Sequence, residues 1–144
     1  MATRQDVVNE AKKWLGARWE HQQCLQYKAA DCGMILIDIF ATCGIIERPK
    51  VEPYPRDWAL HQTDERYLGY VEQHCKKVLH RSPLPGDIAI WKFGNTYSHG
   101  AVVIDWPLIL HAQVKDGVVL ADASCGSLSS REVLFYSAFD EGDL

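Results

Sequence analysis

The order of patterns along the chain predicts an α+β domain, with helices first and a small antiparallel sheet second. Three observations carry that reading. Apolar residues recur at helical spacing in segment 3–16, segment 31–44 holds an apolar run too long for a typical strand, and residues 88–139 break into short apolar or alternating runs divided by turn residues. No internal repeat or low-complexity linker separates two halves, and 144 residues suit one domain, 1–144, with room for a hydrophobic core.

Thr3 followed by Asp6 resembles a capping box, and Val7, Val8, Ala11, Trp14 and Leu15 then follow at helical spacing until Gly16. Residues 17–30 show no period and read as a loop. Asp31 precedes Cys32-Gly33 and an apolar segment, Met34 to Phe40, whose only charge is Asp38. That segment is too long for a typical strand, so it reads as a buried helix capped by Asp31 and stopped by Gly44. Pro49, Pro53 and Pro55 make 47–56 irregular. The spacing of Trp58, Leu60, Tyr67, Leu68, Val71 and Cys75 predicts one or two surface helices between 57 and about 79, ended by Pro83, Pro85 and Gly86. Five strands are expected after that break, at Ile88–Trp91, His99–Ile104, Pro107–Val114, Val118–Ala121 and Val133–Phe139.

Composition narrows the function. With 47% hydrophobic and 24% charged residues, the chain is ordinary for a globular protein. A net charge of −4 without a basic run argues against nucleic acid as the main partner. No apolar run approaches the roughly 18 residues of a membrane-spanning helix. The N-terminal segment is charged and amphipathic, unlike a secretory signal, so synthesis in the cytoplasm is expected. Five cysteines (Cys24, Cys32, Cys43, Cys75 and Cys125) are an odd number with no CxxC pair, which disfavours a disulfide framework and a thiolate-rich zinc site.

Cys32 stands out. An Asp31 cap puts its thiol on the first helical turn, where unpaired amides and the helix dipole stabilise a thiolate and can donate to an oxyanion. Gly33 leaves the approach to the sulfur open. His99 and His111 flank two apolar runs, and a hairpin turning near residue 105 sets them directly opposite each other on one face. One imidazole can then serve as base toward a thiol while the other holds it. Three blander readings stand beside this one. Cys32 can be a small core residue, the histidines can be ordinary sheet residues, and the three together can offer zinc ligands, although no spacing supplies a fourth. His21, His61, His74 and His80 fall in loop or surface-helix contexts. Cys24 lies in a loop, Cys43 at a helix C-terminus and Cys125 in a turn, and Asp87 reads as a turn residue entering a strand.

The order Cys, His, His, with helices before strands, resembles the NlpC/P60 family of papain-like cysteine peptidases, and most closely its branch encoded in phages, prophages and gene-transfer-agent clusters. The segments that carry the resemblance are Trp14-Leu15-Gly16, Trp19-Glu20-His21-Gln22, Asp31-Cys32-Gly33, Tyr54-Pro55-Arg56-Asp57-Trp58 with His61, and Glu65-Arg66-Tyr67-Leu68. Pro85-Gly86-Asp87-Ile88, Ser98-His99-Gly100-Ala101-Val102 and Leu110-His111-Ala112 complete a set that spans about residues 5–139.

The resemblance implies Cys32 as nucleophile, His99 as general base and His111 as the residue that orients it. It also implies the peptide stem of bacterial peptidoglycan as substrate, often cut at a γ-D-glutamyl–diamino-acid bond, with no metal or organic cofactor. The family commonly has Cys-Ser-Gly or Cys-x-Gly, whereas Gly33 here follows Cys32 directly. Many members place a tyrosine about twelve residues before the cysteine, where this chain has Trp19; Tyr27 is the alternative donor to an oxyanion. Trp19, Trp58, Trp91 and Glu20 are candidates for shaping a specificity groove. The rival expectations are a non-catalytic tail-tip or assembly module that binds phage tail proteins on the same fold, and a Cys-His-His acyltransferase or amidase acting on another substrate. A lone catalytic domain without a signal would reach the wall by other means, such as a phage particle.

Overall fold

A computed structural model describes residues 2–19, 24–25, 28–30, 32–47 and 66–139, with the backbone alone for residues 24, 25, 29, 30, 32, 66, 67 and 70. Helix α1 (Arg4–Lys12) begins with the expected capping box. The Asp6 amide donates to Thr3 Oγ1 (3.1 Å) and the Thr3 amide donates to Asp6 Oδ2 (2.8 Å). The helix ends at Lys12, short of Gly16, and a turn carries the chain to Gly16 at φ +89°. The described residues of 17–30, expected to be a loop, include paired backbone. Strands β1 (Cys24–Leu25) and β2 (Ala29–Ala30) form a small antiparallel pair, and the Arg18 amide donates to the Lys28 carbonyl at 2.8 Å. Helix α2 (Cys32–Thr42) follows at once, so Cys32 is its first residue. Asp31, its expected cap, lies outside the described residues.

Helix α3 (Arg66–His74) stops earlier than its periodicity suggested, because β3 (Lys76–Lys77) turns outward to pair with the last strand. The remaining strands are β4 (Ile88–Phe93), β5 (Thr96–Asp105), β6 (Leu108–Gln113), β7 (Gly117–Asp122) and β8 (Val133–Ser137). All five lie within a few residues of the expected positions, the largest changes being three residues added at the start of β5, two added to β4 and two lost from the end of β8. They form one antiparallel sheet in the order β3-β8-β4-β5-β6-β7. A short 3-10 helix (Gly126–Ser130) links β7 to β8.

Strand pleating sends alternate residues to opposite faces, and both faces of this sheet are covered. On one side Ile88, Ile90, Val102, Leu110, Ala112 and Tyr136 pack under Val7, Ala11 and Trp14 of the α1 segment and Ile35, Ile39 and Phe40 of α2. On the other, Ala89, Trp91, Ala101, Val103 and Ile109 pack against Ala123 and Leu128, with Phe93, Trp106, Val133 and Phe135 closing the edges. Each fully buried aliphatic side chain contributes about 1.5–3 kcal/mol relative to exposure, so both layers matter to stability. Gly117 (φ +72°) opens β7 where a Cβ would overlap the Ala17 carbonyl, and that carbonyl accepts from the Val118 amide at 2.8 Å. The segment after α1 is thereby tied to the sheet edge.

Asp87 does more than turn the chain. Its side chain is fully buried and pairs with Arg4 Nη1 (2.7 Å) and Arg81 Nη1 (2.9 Å). The Leu84 amide donates to the same carboxylate at 2.9 Å, and Arg4 also reaches the Pro85 carbonyl. One acid thus joins α1, the Pro-Gly turn and the start of β4. Removing one partner of a buried ion pair costs more than the pair itself contributes, because the other charge is left uncompensated. Asp87→Ala is expected to lower the unfolding free energy by about 3 kcal/mol, and a loss below about 1 kcal/mol in urea titration would contradict this role.

Candidate active site

The hairpin of β5 and β6 carries both histidines, but in a different register from the one expected. Trp106 and Pro107 form the turn, Asp105 faces Leu108, and the pairing shifts at residue 104, so that Val103 faces Ile109 and Val102 faces Leu110. Continued along the strands, that register sets Gln113 opposite His99 and Ala101 opposite His111. The histidines are therefore diagonal neighbours. The displacement from direct opposition is two residues, an even number, so both side chains stay on one face.

The two rings meet on that face. His99 Nε2 and His111 Nδ1 are 2.8 Å apart, with the ring planes at 80°. A second bond continues the chain, since His111 Nε2 lies 2.8 Å from Gln113 Nε2. His111 is 1% exposed, while His99 and Gln113 are half-buried. Nδ1 of His99 lies outside the bond to His111. Two nitrogens that point at each other in this way do not converge on a common ion, which argues against the zinc reading of His99 and His111. Among the described residues, no group of three or more His, Cys, Asp or Glu side chains is placed to hold a metal.

An aromatic wall surrounds the pair. The His99 ring centroid is 5.2 Å from that of Phe93 and 6.0 Å from that of Trp91. Trp106 stacks on Trp91 at 6.4 Å, and the Arg131 guanidinium lies 3.8 Å from the centre of the Phe93 ring. Trp91, expected to line a specificity groove, is 1% exposed and sits under the histidines as core. Sequence reasoning missed Phe93, Trp106, Arg131 and Gln113. Gln113 was detectable, because it shares strand parity with His111.

Burial of these rings disfavours their charged forms. It pushes His99 down to about 3, with the neighbouring His111 and then Arg131 acting in the same direction, and it pushes His111 down to about 4. Among the described residues, no carboxylate is a cause of either shift. Both imidazoles are thus held neutral at pH 7, with lone pairs available for proton transfer.

The other predicted residues divide. Cys32 heads α2, and its side chain lies outside the described residues. Gly33 is in the first turn of α2, half-buried, and Trp19 packs against the helix-side core. Tyr27, Trp58, Glu20, His21 and His61 lie outside the described residues; His74 and His80 are exposed. Cys24 is in β1, and its side chain is not among those described. Of the described thiols, burial and then the acids Glu10 and Asp6 raise Cys43. Burial and then Asp87 push Cys75 up to about 12. Both are poor nucleophiles, whereas Cys125 is exposed next to the 3-10 helix.

A histidine whose folded value is depressed opposes acidification. The unfolded chain takes up protons near pH 6.5 that the folded chain refuses, so the stability contribution is complete above 6.5. It is lost as pH falls through 6.5 toward about 4 for His111 and about 3 for His99. Unfolding free energy is expected to fall from pH 7 to 4.5, with a shallower slope in a His99→Gln/His111→Gln variant; equal slopes would contradict neutral burial.

No protein-family model matches the sequence, and no curated protein does. Solved structures do match. The NlpC/p60 domain of the peptidoglycan hydrolase SagA superposes with a TM-score of 0.62 at 14% identity, covering 92% of this chain and 97% of that one. NlpC1 from Trichomonas vaginalis gives 0.64 at 15%, covering 94% of this chain and 44% of that one. An NLP/P60-family protein from Staphylococcus aureus, described as similar to a lipoprotein, gives 0.64 at 16%, with 96% and 42% covered. The chain spans nearly the whole SagA domain and under half of the other two. At these identities the likeness establishes the fold, an α+β NlpC/P60 fold.

Proposed function

We propose that this chain is a cysteine peptidase of the NlpC/P60 type that hydrolyses an amide bond in the peptide stem of bacterial peptidoglycan. The observation that carries the reading is the bond between His99 Nε2 and His111 Nδ1, which holds one imidazole by the other and leaves Nδ1 of His99 for a thiol. Two further facts support it. Cys32 opens α2, which packs against β5 and β6, the two strands that carry the histidines. The shared fold includes a domain from a named peptidoglycan hydrolase.

In this mechanism the Cys32 thiol gives its proton to His99 Nδ1 as sulfur attacks the substrate carbonyl. The oxyanion takes hydrogen bonds from the Cys32 amide at the start of α2 and from one further donor, for which Trp19 and Tyr27 are the candidates. The C–N bond breaks as protonated His99 gives its proton to the leaving amine. Water, deprotonated by His99, then attacks the thioester and releases the acid and the free thiol. Burial keeps the resting His99 neutral at pH 7, so the cycle starts from an imidazole with a lone pair. The γ-D-glutamyl–diamino-acid bond is the finer substrate reading, and the phage-encoded branch the finer family reading; both rest on the sequence segments quoted above.

Digestion of purified peptidoglycan, with released fragments identified by mass spectrometry, tests the proposal. Cys32→Ala and His99→Ala are each expected to reduce fragment release by at least about 10²-fold. Undiminished release by Cys32→Ala would overturn it, and absence of release by the unaltered protein would favour a binding module.

A further inference from the structure

The bond from Gln113 to His111 has consequences for the proton inventory of the whole chain. A neutral imidazole has one N–H and one lone pair, so fixing either nitrogen fixes the other. Two orientations of the Gln113 amide are compatible with the 2.8 Å contact to His111 Nε2.

With the amide N–H toward His111, Gln113 donates to Nε2, and His111 must carry its proton on Nδ1 and donate it to His99 Nε2. His99 then carries its own proton on Nδ1. In that state Nδ1 has no lone pair, and His99 cannot take a thiol proton there.

With the amide oxygen toward His111, the order reverses. His111 Nε2–H donates to Gln113 Oε1, His99 Nε2–H donates to His111 Nδ1, and His99 Nδ1 is a bare lone pair. Adding a proton at Nδ1 makes the imidazolium without breaking either of the two bonds. This orientation alone supports both the base and its conjugate acid.

We infer that Gln113 is a positioning residue whose side-chain oxygen ends the chain Gln113–His111–His99 and so selects the tautomer of His99 that can act as a base. The inference rests on the peptidase reading for its catalytic meaning, but the tautomers themselves are independent of it. The geometry that permits it is specific to the strand. Gln113 is the last residue of β6, two positions from His111 and on the same face, in the register position opposite His99. Its side chain is half-buried beside the buried His111, where an unpaired polar group costs more than at the surface.

Long-range ¹H–¹⁵N NMR of the histidine rings in the full chain at pH 7 reads the tautomers directly. His111 and His99 are each expected with the proton on Nε2 and a bare Nδ1. Gln113→Glu, which can only accept when ionised, should keep both tautomers and retain peptidoglycan cleavage within about three-fold. Gln113→Leu should shift the tautomer populations and lower kcat at least about ten-fold at nearly unchanged KM, since a wrong tautomer in a triad is costly. A folded backbone spectrum of each variant is the reference for both readings. Protons on Nδ1 in the wild type and in Gln113→Glu, or unchanged tautomers in Gln113→Leu, would overturn the inference. If the tautomers respond as expected while Cys32→Ala retains full cleavage, the peptidase reading fails and the hydrogen-bond chain stands.

Discussion

Two imidazoles can hydrogen-bond across β5 and β6 only if the strands keep an even offset, and much of the candidate site depends on that parity. Pleating sends every second residue to the same face, so Trp91, Phe93, His99, Ala101, His111 and Gln113 share a surface. An odd slip would move the histidines of one strand to the other face, among the helix-packed residues. The shift at residue 104 and the turn at Trp106-Pro107 set the offset between the strands, and the pairing of His111 with Val119 carries it to β7.

That parity has value because much of the second face of the sheet is buried. The 3-10 segment, with Leu128 and Ala123, covers the surface that helices leave untouched, and Trp106 and Phe135 close it edge to face at 4.8 Å. Desolvation then keeps both rings neutral and strengthens the hydrogen bonds between them. The helix face has a different task. It packs α1 and α2 against the sheet, and the buried Asp87 with Arg4 and Arg81 links α1 to the start of β4, so that α2 meets β5 at a constant position. One layer orders the imidazoles and the other presents the helix that starts at Cys32.

The fold survives at 14–16% identity to the solved NlpC/P60 domains because its requirements are generic. Alternation of apolar residues along the strands and an apolar stripe on each helix satisfy it with many different side chains. The site is more demanding. It needs nitrogens within hydrogen-bond reach and a fixed tautomer, conditions met by particular residues in a particular register.

The sequence by itself determined the class of fold, the capping box of α1, the strand positions and the two histidines on neighbouring strands. Each of those follows from local periodicity or from the chemistry of one residue type. Only the tertiary structure decided that His99 meets His111 diagonally, that Gln113 continues the chain, that Trp91 is core, and that Asp87 is a buried ionic junction. The reason is physical: periodicity reports which face a residue takes but not how far two strands slide past each other. Nor does it say which distant segment covers that face. Those quantities are settled by bulges, turns and packing between residues remote in the chain.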